Sequence, residues 1–251
     1  MNFLKIKEID KFELDSVNRT ISHGKIIQEK KILKLLYQDW YINLMNFANY
    51  NNNGVFLELG SGGGFIKDFM PNIITSDVFE IPGVDKVIFA ENIPFNNESI
   101  DSILMIDVFH HIPNVRLFLN EANRVLKPGG TIVMSEPWNS TWGKFIYQNF
   151  HHEPFLPEAE WELKGNGPLS SANGALPWIL FKRDRIKFEN EYPKFKIEKI
   201  IYHTPFRYLL SGGVSFRQII PSFTFKVLSK IEKMISSEKL SMFAFIVIRK
   251  I

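Results

Sequence analysis

Hydrophobic and polar positions follow two different rhythms along this chain, and the switches between them mark out its elements. From residue 25 to 50, Ile26, Ile27, Leu33, Leu36, Tyr37, Trp40, Tyr41 and Leu44 recur at helical spacing with Lys and Gln between them, which predicts a helix with one buried face. Shorter β-rich runs follow. A buried strand ends at Leu59, where glycines begin; a short helix over Phe65–Met70 stops at Pro71; a second strand covers Ile73–Val78. Ser99–Val108, with Ile100, Ile103, Leu104 and Ile106 apolar, predicts a further buried strand. Residues 121–132, Glu-Ala-Asn-Arg-Val-Leu-Lys-Pro-Gly-Gly-Thr-Ile, read as a helix closed by a Pro-Gly-Gly turn that feeds a strand at Thr131–Ser135. Further on, Leu176–Phe181 and Arg183–Phe188 predict a helix with Arg183, Asp184 and Arg185 exposed. A strand follows at Lys196–Tyr202, then a helix at Thr224–Ser236 and a last strand at Met242–Arg249. Strands and helices alternating at these lengths dictate an α/β fold, a parallel sheet with helices on both faces.

The most informative stretch is Leu-Glu-Leu-Gly-Ser-Gly-Gly-Gly-Phe at residues 57–65. A buried strand that stops in glycines leaves room for something lying close to the backbone, and a nucleoside fits that description. The spacing is Glu-x-Gly-x-Gly-x-Gly, not the Gly-x-Gly-x-x-Gly that cradles a dinucleotide pyrophosphate. By itself such a loop can equally be a tight surface turn. Asp77, at the end of the second predicted strand, has the chemistry and the separation to accept hydrogen bonds from both hydroxyls of a ribose.

In order along residues 54–137 come the glycine loop, Asp77, Ala-Glu-Asn-Ile-Pro-Phe at 90–95, His110-His111 and Val-Leu-Lys-Pro-Gly-Gly at 125–130. This series resembles the core of the class I S-adenosylmethionine-dependent methyltransferases of the type 11 group. The resemblance implies a Rossmann-like, seven-stranded, mostly parallel sheet with an antiparallel last strand, helices on both faces, and helical and loop insertions that cap a substrate. It implies S-adenosylmethionine as cofactor and S-adenosylhomocysteine as product. Glu58, Gly60, Ser61 and Gly62 would then line the methionine part; Asp77 would hold the ribose, with Val78 against the adenine. Ala90 and Glu91 would form the turn at the adenine edge, and Asp107 and Val108 would stand beside the sulfonium. One position departs from the pattern: many relatives carry Asp before this Ala, where the present chain has Phe89. Backbone groups, Ile88 and Phe89 packing, or Glu91 would replace it.

Composition narrows the function classes. A chain of 251 residues with 45% hydrophobic residues can form one domain with elaborations: a helical flank (1–53), a cofactor-binding core (54–137) and substrate-side insertions (138–195 and 203–241). The net charge of +3 is slight and its lysines are interspersed with glutamates, so a nucleic-acid substrate is not expected. With no cysteine there is no disulfide framework or thiolate site. Neither a signal peptide nor a spanning helix is legible, so the expected location is cytoplasmic, with room for a peripheral place at the inner membrane face.

The flanks suggest chemistry. Arg19, His23 and Tyr37 are candidates for a lid over the cofactor mouth. Residues 138–195 are aromatic and rich in turns, and residues 204–236 are longer and more apolar than a sheet connection needs. An apolar wall over an aliphatic substrate, a membrane-docking face with Lys226, Lys230 and Lys233, and a homodimer contact each fit that second segment. A hydroxyl acceptor must lose its proton during transfer, and His110, His111, His151, His152 and His203 are the candidate bases. His151 and His152, beside Glu153 in the insertion, are preferred; His110-His111 reads more readily as a loop brace. No metal is expected, since adjacent histidines do not share a helical face and no carboxylate cluster is apparent. Beyond the core, the chain resembles bacterial methyltransferases that share His-His-Glu-Pro-Phe, Asn-Gly-Ala-Leu-Pro-Trp and Thr-Pro-Phe-Arg-Tyr-Leu-Leu-Ser-Gly-Gly-Val-Ser. Similarity to enzymes of surface-polysaccharide and glycolipid assembly points to O-methylation of a sugar or a lipid-linked glycan. The alternatives are a small natural-product acceptor, a catalytically silent cofactor-binding partner subunit, and a nicotinamide oxidoreductase.

Overall fold

Strands that are apolar on both faces belong in the middle of a sheet covered on both sides. The computed structural model, which describes residues 5–6, 11–151, 153–163, 165 and 167–251, puts three such strands there. They are β1 (Phe56–Glu58), β4 (Ile100–Ile106) and β5 (Leu126–Pro137). β2 (Ile74–Asp77) and β3 (Lys86–Val87) extend the sheet on one side, and β6 (Phe195–His203) and β7 (Phe243–Lys250) on the other. The order is β3-β2-β1-β4-β5-β7-β6, parallel throughout except for β7, which runs antiparallel between β5 and β6. This is the expected Rossmann-like sheet of seven strands. Its order reverses between β1 and β4, and ligands of such sheets gather at the carboxyl ends beside that switch.

The helical flank differs from the single helix that periodicity predicts. It forms α1 (Val17–Glu29) and α2 (Lys31–Phe47), separated at Lys30, whose backbone is extended. The amino group of Lys30 turns away to the carbonyls of Gly213 and Phe216, so a tertiary contact supplies the break. Ser16 caps α1 by accepting from Arg19 N at 3.2 Å. α2 buries Ile32, Leu33, Leu36, Trp40 and Leu44 completely or nearly so, as its apolar stripe requires.

α3 (Val115–Val125) starts on an Asn114 cap and runs directly into β5. The Lys-Pro-Gly-Gly segment is therefore no free turn: Ile100 pairs with Leu126 and Ser102 with Thr131, and the residues between bulge out of β5, with Gly129 at φ 80°. In the insertion, α4 (Thr141–Phe150) and α5 (Leu176–Trp178) precede a π-helical turn (Ile179–Arg183) and α6 (Arg185–Glu191). Arg183 and Asp184 are half-buried there, contrary to expectation. Arg183 Nη1 donates to Pro157 O (2.6 Å) and Ala159 O (2.9 Å), while Asp184 accepts from Trp161 Nε1 (2.9 Å), so the pair braces the aromatic insertion.

After β6 come α7 (Arg207–Ser211) and α8 (Phe225–Ile235). α8 buries Phe225 and Glu232 and turns Val227, Ile231 and Met234 outward beside Lys226, Lys230 and Lys233. No α8 residue lines the central cavity described below, so this helix does not wall a substrate there. Among the described residues no helix is long and apolar enough to cross a membrane.

Candidate functional site

β1 delivers Glu58 to the end of the sheet, and the glycine loop then folds back over β2. Ser61 N donates to Ser76 O (2.8 Å), Ser76 Oγ donates to Glu58 O (2.7 Å), and the Ser61 hydroxyl donates to the Glu58 carboxylate. Gly60 is needed here on two counts: its φ is 66°, and a Cβ would lie 2.4 Å from Val108 Cγ2. At the tip of β2, Asp77 accepts from Gly62 N (2.9 Å) through Oδ2 and from Phe79 N (3.0 Å) through Oδ1. With a further backbone hydrogen bond from Val78, three of the four lone-pair directions are used and one remains for a ligand.

Glu58, Gly60, Ser61, Gly62, Asp77, Val78, Ala90, Glu91, Asp107 and Val108 all line one cavity of about 320 Å³. Phe89, largely exposed, lies at its edge, and Glu91 accepts from Asn114 N at 3.3 Å. α1 and α2 contribute His23, Tyr37 and Tyr41 to the wall; Arg19 is not part of it. The cavity continues to His111, His151, Glu153, Leu169 and Tyr208. One space therefore joins the core, the helical flank and both insertions.

The cavity is rich in carboxylates that burial makes reluctant to ionise. Glu58 is pushed up to about 7 by burial, against the Ser61 hydrogen bond and with help from nearby Asp77. Burial also raises Asp77, against three backbone hydrogen bonds. Asp107 is pushed up to about 7, first by burial and then by Glu153 and Glu136, with His110 opposing. Asp107 also holds a left-handed backbone (φ 61°) where β4 opens into the cavity, a strained conformation for a residue with a side chain. Such a set favours a ligand with a cationic part, whose charge would repay the cost of ionising these groups.

The histidines divide sharply. His110 is wholly buried and forms no part of the cavity wall, so it cannot touch a substrate as a base. Its Nδ1 lies 2.7 Å from Glu136 Oε2 and its Nε2 lies 3.3 Å from Glu153 Oε2. Burial alone would depress its pKa, but the two carboxylates outweigh it and hold the imidazole charged. His111 lines the cavity and is pushed down to about 4 by burial and by the charge of His110. His151 lines it too, with Nδ1 receiving the Glu153 N–H at 3.4 Å. His152 lies outside the described residues. His203 is the last residue of β6, stacked on Phe245 with centroids 3.9 Å apart, and burial and Arg207 keep it neutral.

Two participants carried no role in the sequence reading. Glu136, at the end of β5, accepts from Val108 N and Phe109 N, both at 2.8 Å, as well as meeting His110. Its only signal is an acidic residue in Met-Ser-Glu-Pro at the end of a buried strand. Tyr208 belongs to the Thr-Pro-Phe-Arg-Tyr segment and reaches the cavity from α7.

Comparison with known proteins agrees with this architecture. The family model described as a methyltransferase domain matches residues 84–134. The phthiotriol/phenolphthiotriol dimycocerosates methyltransferase of Mycobacterium tuberculosis is 49% identical over 51 residues, which are 20% of this chain and 19% of that protein. The match thus spans about a fifth of the length of the curated relative. Among solved structures, a SAM-dependent methyltransferase of Thermotoga maritima is similar over 92% of this chain and 99% of its own, at a TM-score of 0.51 and 16% identity. Geranyl diphosphate C-methyltransferase of Streptomyces coelicolor, solved with Mg²⁺, geranyl diphosphate and S-adenosylhomocysteine, covers 91% of this chain and 83% of its own, at a TM-score of 0.53 and 11% identity. The chain has the class I S-adenosylmethionine-dependent methyltransferase fold and carries a methyltransferase-domain segment at its centre.

Proposed function

We propose that this protein is an S-adenosylmethionine-dependent methyltransferase acting on an oxygen of a small or lipid-linked acceptor. The observation that carries the reading is the single cavity that runs from Glu58, the glycine loop and Asp77 to His151, Leu169 and Tyr208 in the insertions. In this reading Glu58 faces the methionine ammonium, Asp77 receives a ribose hydroxyl, and Ala90 and Glu91 meet the adenine edge, with Phe89 packing in place of a carboxylate. Asp107 and Val108 stand beside the sulfonium. The cofactor supplies the electrophilic methyl, and the protein holds the acceptor oxygen in line with it. His151 takes the acceptor's proton at Nδ1 as the new bond forms, giving up its long 3.4 Å contact with Glu153 N–H.

The acceptor side supports a hydroxyl on a molecule with apolar bulk. Ile112, Pro168, Leu169 and Val214 line the cavity there. The matching relative is named for the methylation of phthiotriol and phenolphthiotriol dimycocerosates, and the triol in that name supports a hydroxyl acceptor. In the test, purified protein is incubated with methyl-labelled cofactor and with fractionated lipid, glycolipid and small-molecule extracts. Label in an alkali-stable ether of a lipid or glycolipid is expected. Cofactor binding without transfer to any fraction would instead support a silent partner subunit.

A further inference from the structure

The His110-His111 pair lies on a single 3-10 turn (Phe109–His111) after β4, too short to fan neighbouring side chains to opposite sides as a longer helix would, and the rings stay together. The two rings are 4.2 Å apart between centroids, and both point their Nε2 atoms toward Glu153. His110 Nε2 lies 3.3 Å from Glu153 Oε2, and His111 Nε2 lies 3.6 Å from Glu153 Oε1. One ligand atom from each of the three residues falls within 4.8 Å of the others. Donor atoms around a tetrahedral zinc ion, each about 2.0–2.1 Å from the metal, stand about 3.4 Å from one another. The His110 Nε2–Glu153 Oε2 separation already matches that figure, and His111 Nε2 stands 3.6 Å from the other oxygen of the same carboxylate, so a small shift of the Glu153 side chain completes the set.

A metal-ligating histidine needs its second ring nitrogen fixed by an acceptor, commonly a carboxylate. Glu136 provides it. Its Oε2 accepts from His110 Nδ1 at 2.7 Å, while its Oε1 is tied to the backbone N–H groups of Val108 and Phe109. Glu136 is thereby committed as an orienting group, which favours Glu153 over Glu136 as the carboxylate ligand. We propose that His110, His111 and Glu153 form a binding site for one divalent transition-metal ion of the zinc class, with Glu136 orienting His110. Binding replaces the proton on His110 Nε2, which leaves to solvent. His111 and Glu153 are cavity-wall residues, so the remaining coordination position opens into the cavity, where an oxygen of a ligand can fill it. The site rests on this cluster alone and is independent of the function proposed above.

The competing account is a purely internal ion-pair network, and metal binding separates the two. The full chain is stripped with chelator and titrated with Zn²⁺, and separately with Mg²⁺ and Co²⁺, by calorimetry; Co²⁺ binding is also followed by its visible absorption. One equivalent of Zn²⁺ and of Co²⁺ per chain is expected, with Mg²⁺ much weaker. The near-isosteric Glu153→Gln should weaken Zn²⁺ binding more than tenfold, and Glu136→Gln by about 10- to 100-fold. Circular dichroism checks that each variant is folded, and His111→Gln serves in place of any that is not. Absence of saturable binding at one equivalent, or unchanged affinity in the folded ligand variants, overturns the proposal.

Discussion

Glu58 shows most clearly how position converts an ordinary side chain into a site. Burial lifts its folded pKa from 4.5 to about 7, so the folded protein keeps a proton that the unfolded chain has already lost between those values. Its contribution to stability is therefore greatest below the unfolded value and is lost as pH rises through about 7. Glu58→Gln should flatten this slope, seen as a smaller difference between urea midpoints at pH 5 and pH 8. The same substitution should weaken S-adenosylmethionine binding at least tenfold by calorimetry, on the scale of a lost charge-assisted hydrogen bond of about 1.5–3 kcal/mol. Wild-type affinity should tighten from pH 6 to pH 7.5 as the carboxylate ionises. Glu58 and Asp77 were legible in the sequence because both sit at fixed offsets from the glycine loop. Glu136 was not, because its meeting with His110 depends on the pairing of β4 with β5, and Asp107 gave no sign of its left-handed backbone.

At the scale of elements, two contacts hold the added parts to the sheet. α1 lies directly on the glycine loop: a Cβ on Gly24 would come within 2.5 Å of Gly63 Cα, and one on Gly63 within 2.2 Å of Gly24 Cα. Helix propensity alone makes Gly24→Ala favourable by up to about 1 kcal/mol. Overpacking decides the sign, and chemical denaturation should show a net loss of about 1–3 kcal/mol with weakened ligand binding. The second contact is Arg207, which is buried and donates to the Glu232 carboxylate from Nε and to Asp39 Oδ2 from Nη1 (2.6 Å), tying α7 to α8 and α2. Glu232→Ala leaves the buried guanidinium with Asp39 as its carboxylate partner and frees the N–H groups of Phe206 and Arg207 from theirs, and should cost about 3 kcal/mol in the same measurement. Periodicity alone could not reveal either contact. Gly24 reads as a weak point in a helix, and Glu232, among lysines, reads as a surface charge. The same limit explains the missed break at Lys30, whose cause lies in the carbonyls of Gly213 and Phe216.

Across the whole molecule, the sheet and the glycine-loop edge of the cavity were legible because each follows from a local rhythm or spacing, whereas the proposed acceptor side is assembled from segments far apart in the chain. Leu14, Leu169, Tyr208 and Val214 meet only when the chain has folded, and none belongs to a motif that carries its own chemistry. The account as a whole depends on the cavity at the β1–β4 switch receiving an adenosyl sulfonium. Thermal unfolding of the full chain with and without S-adenosylmethionine tests this most directly. At a ligand concentration a hundredfold above Kd, the stabilisation is about 2.7 kcal/mol, which for a chain of this size raises the midpoint by roughly 5–10 °C. A rise of that order, reproduced with S-adenosylhomocysteine and cut to about half or less in Glu58→Gln at the same ligand concentration, is the result predicted here; an unchanged midpoint at millimolar cofactor would contradict it.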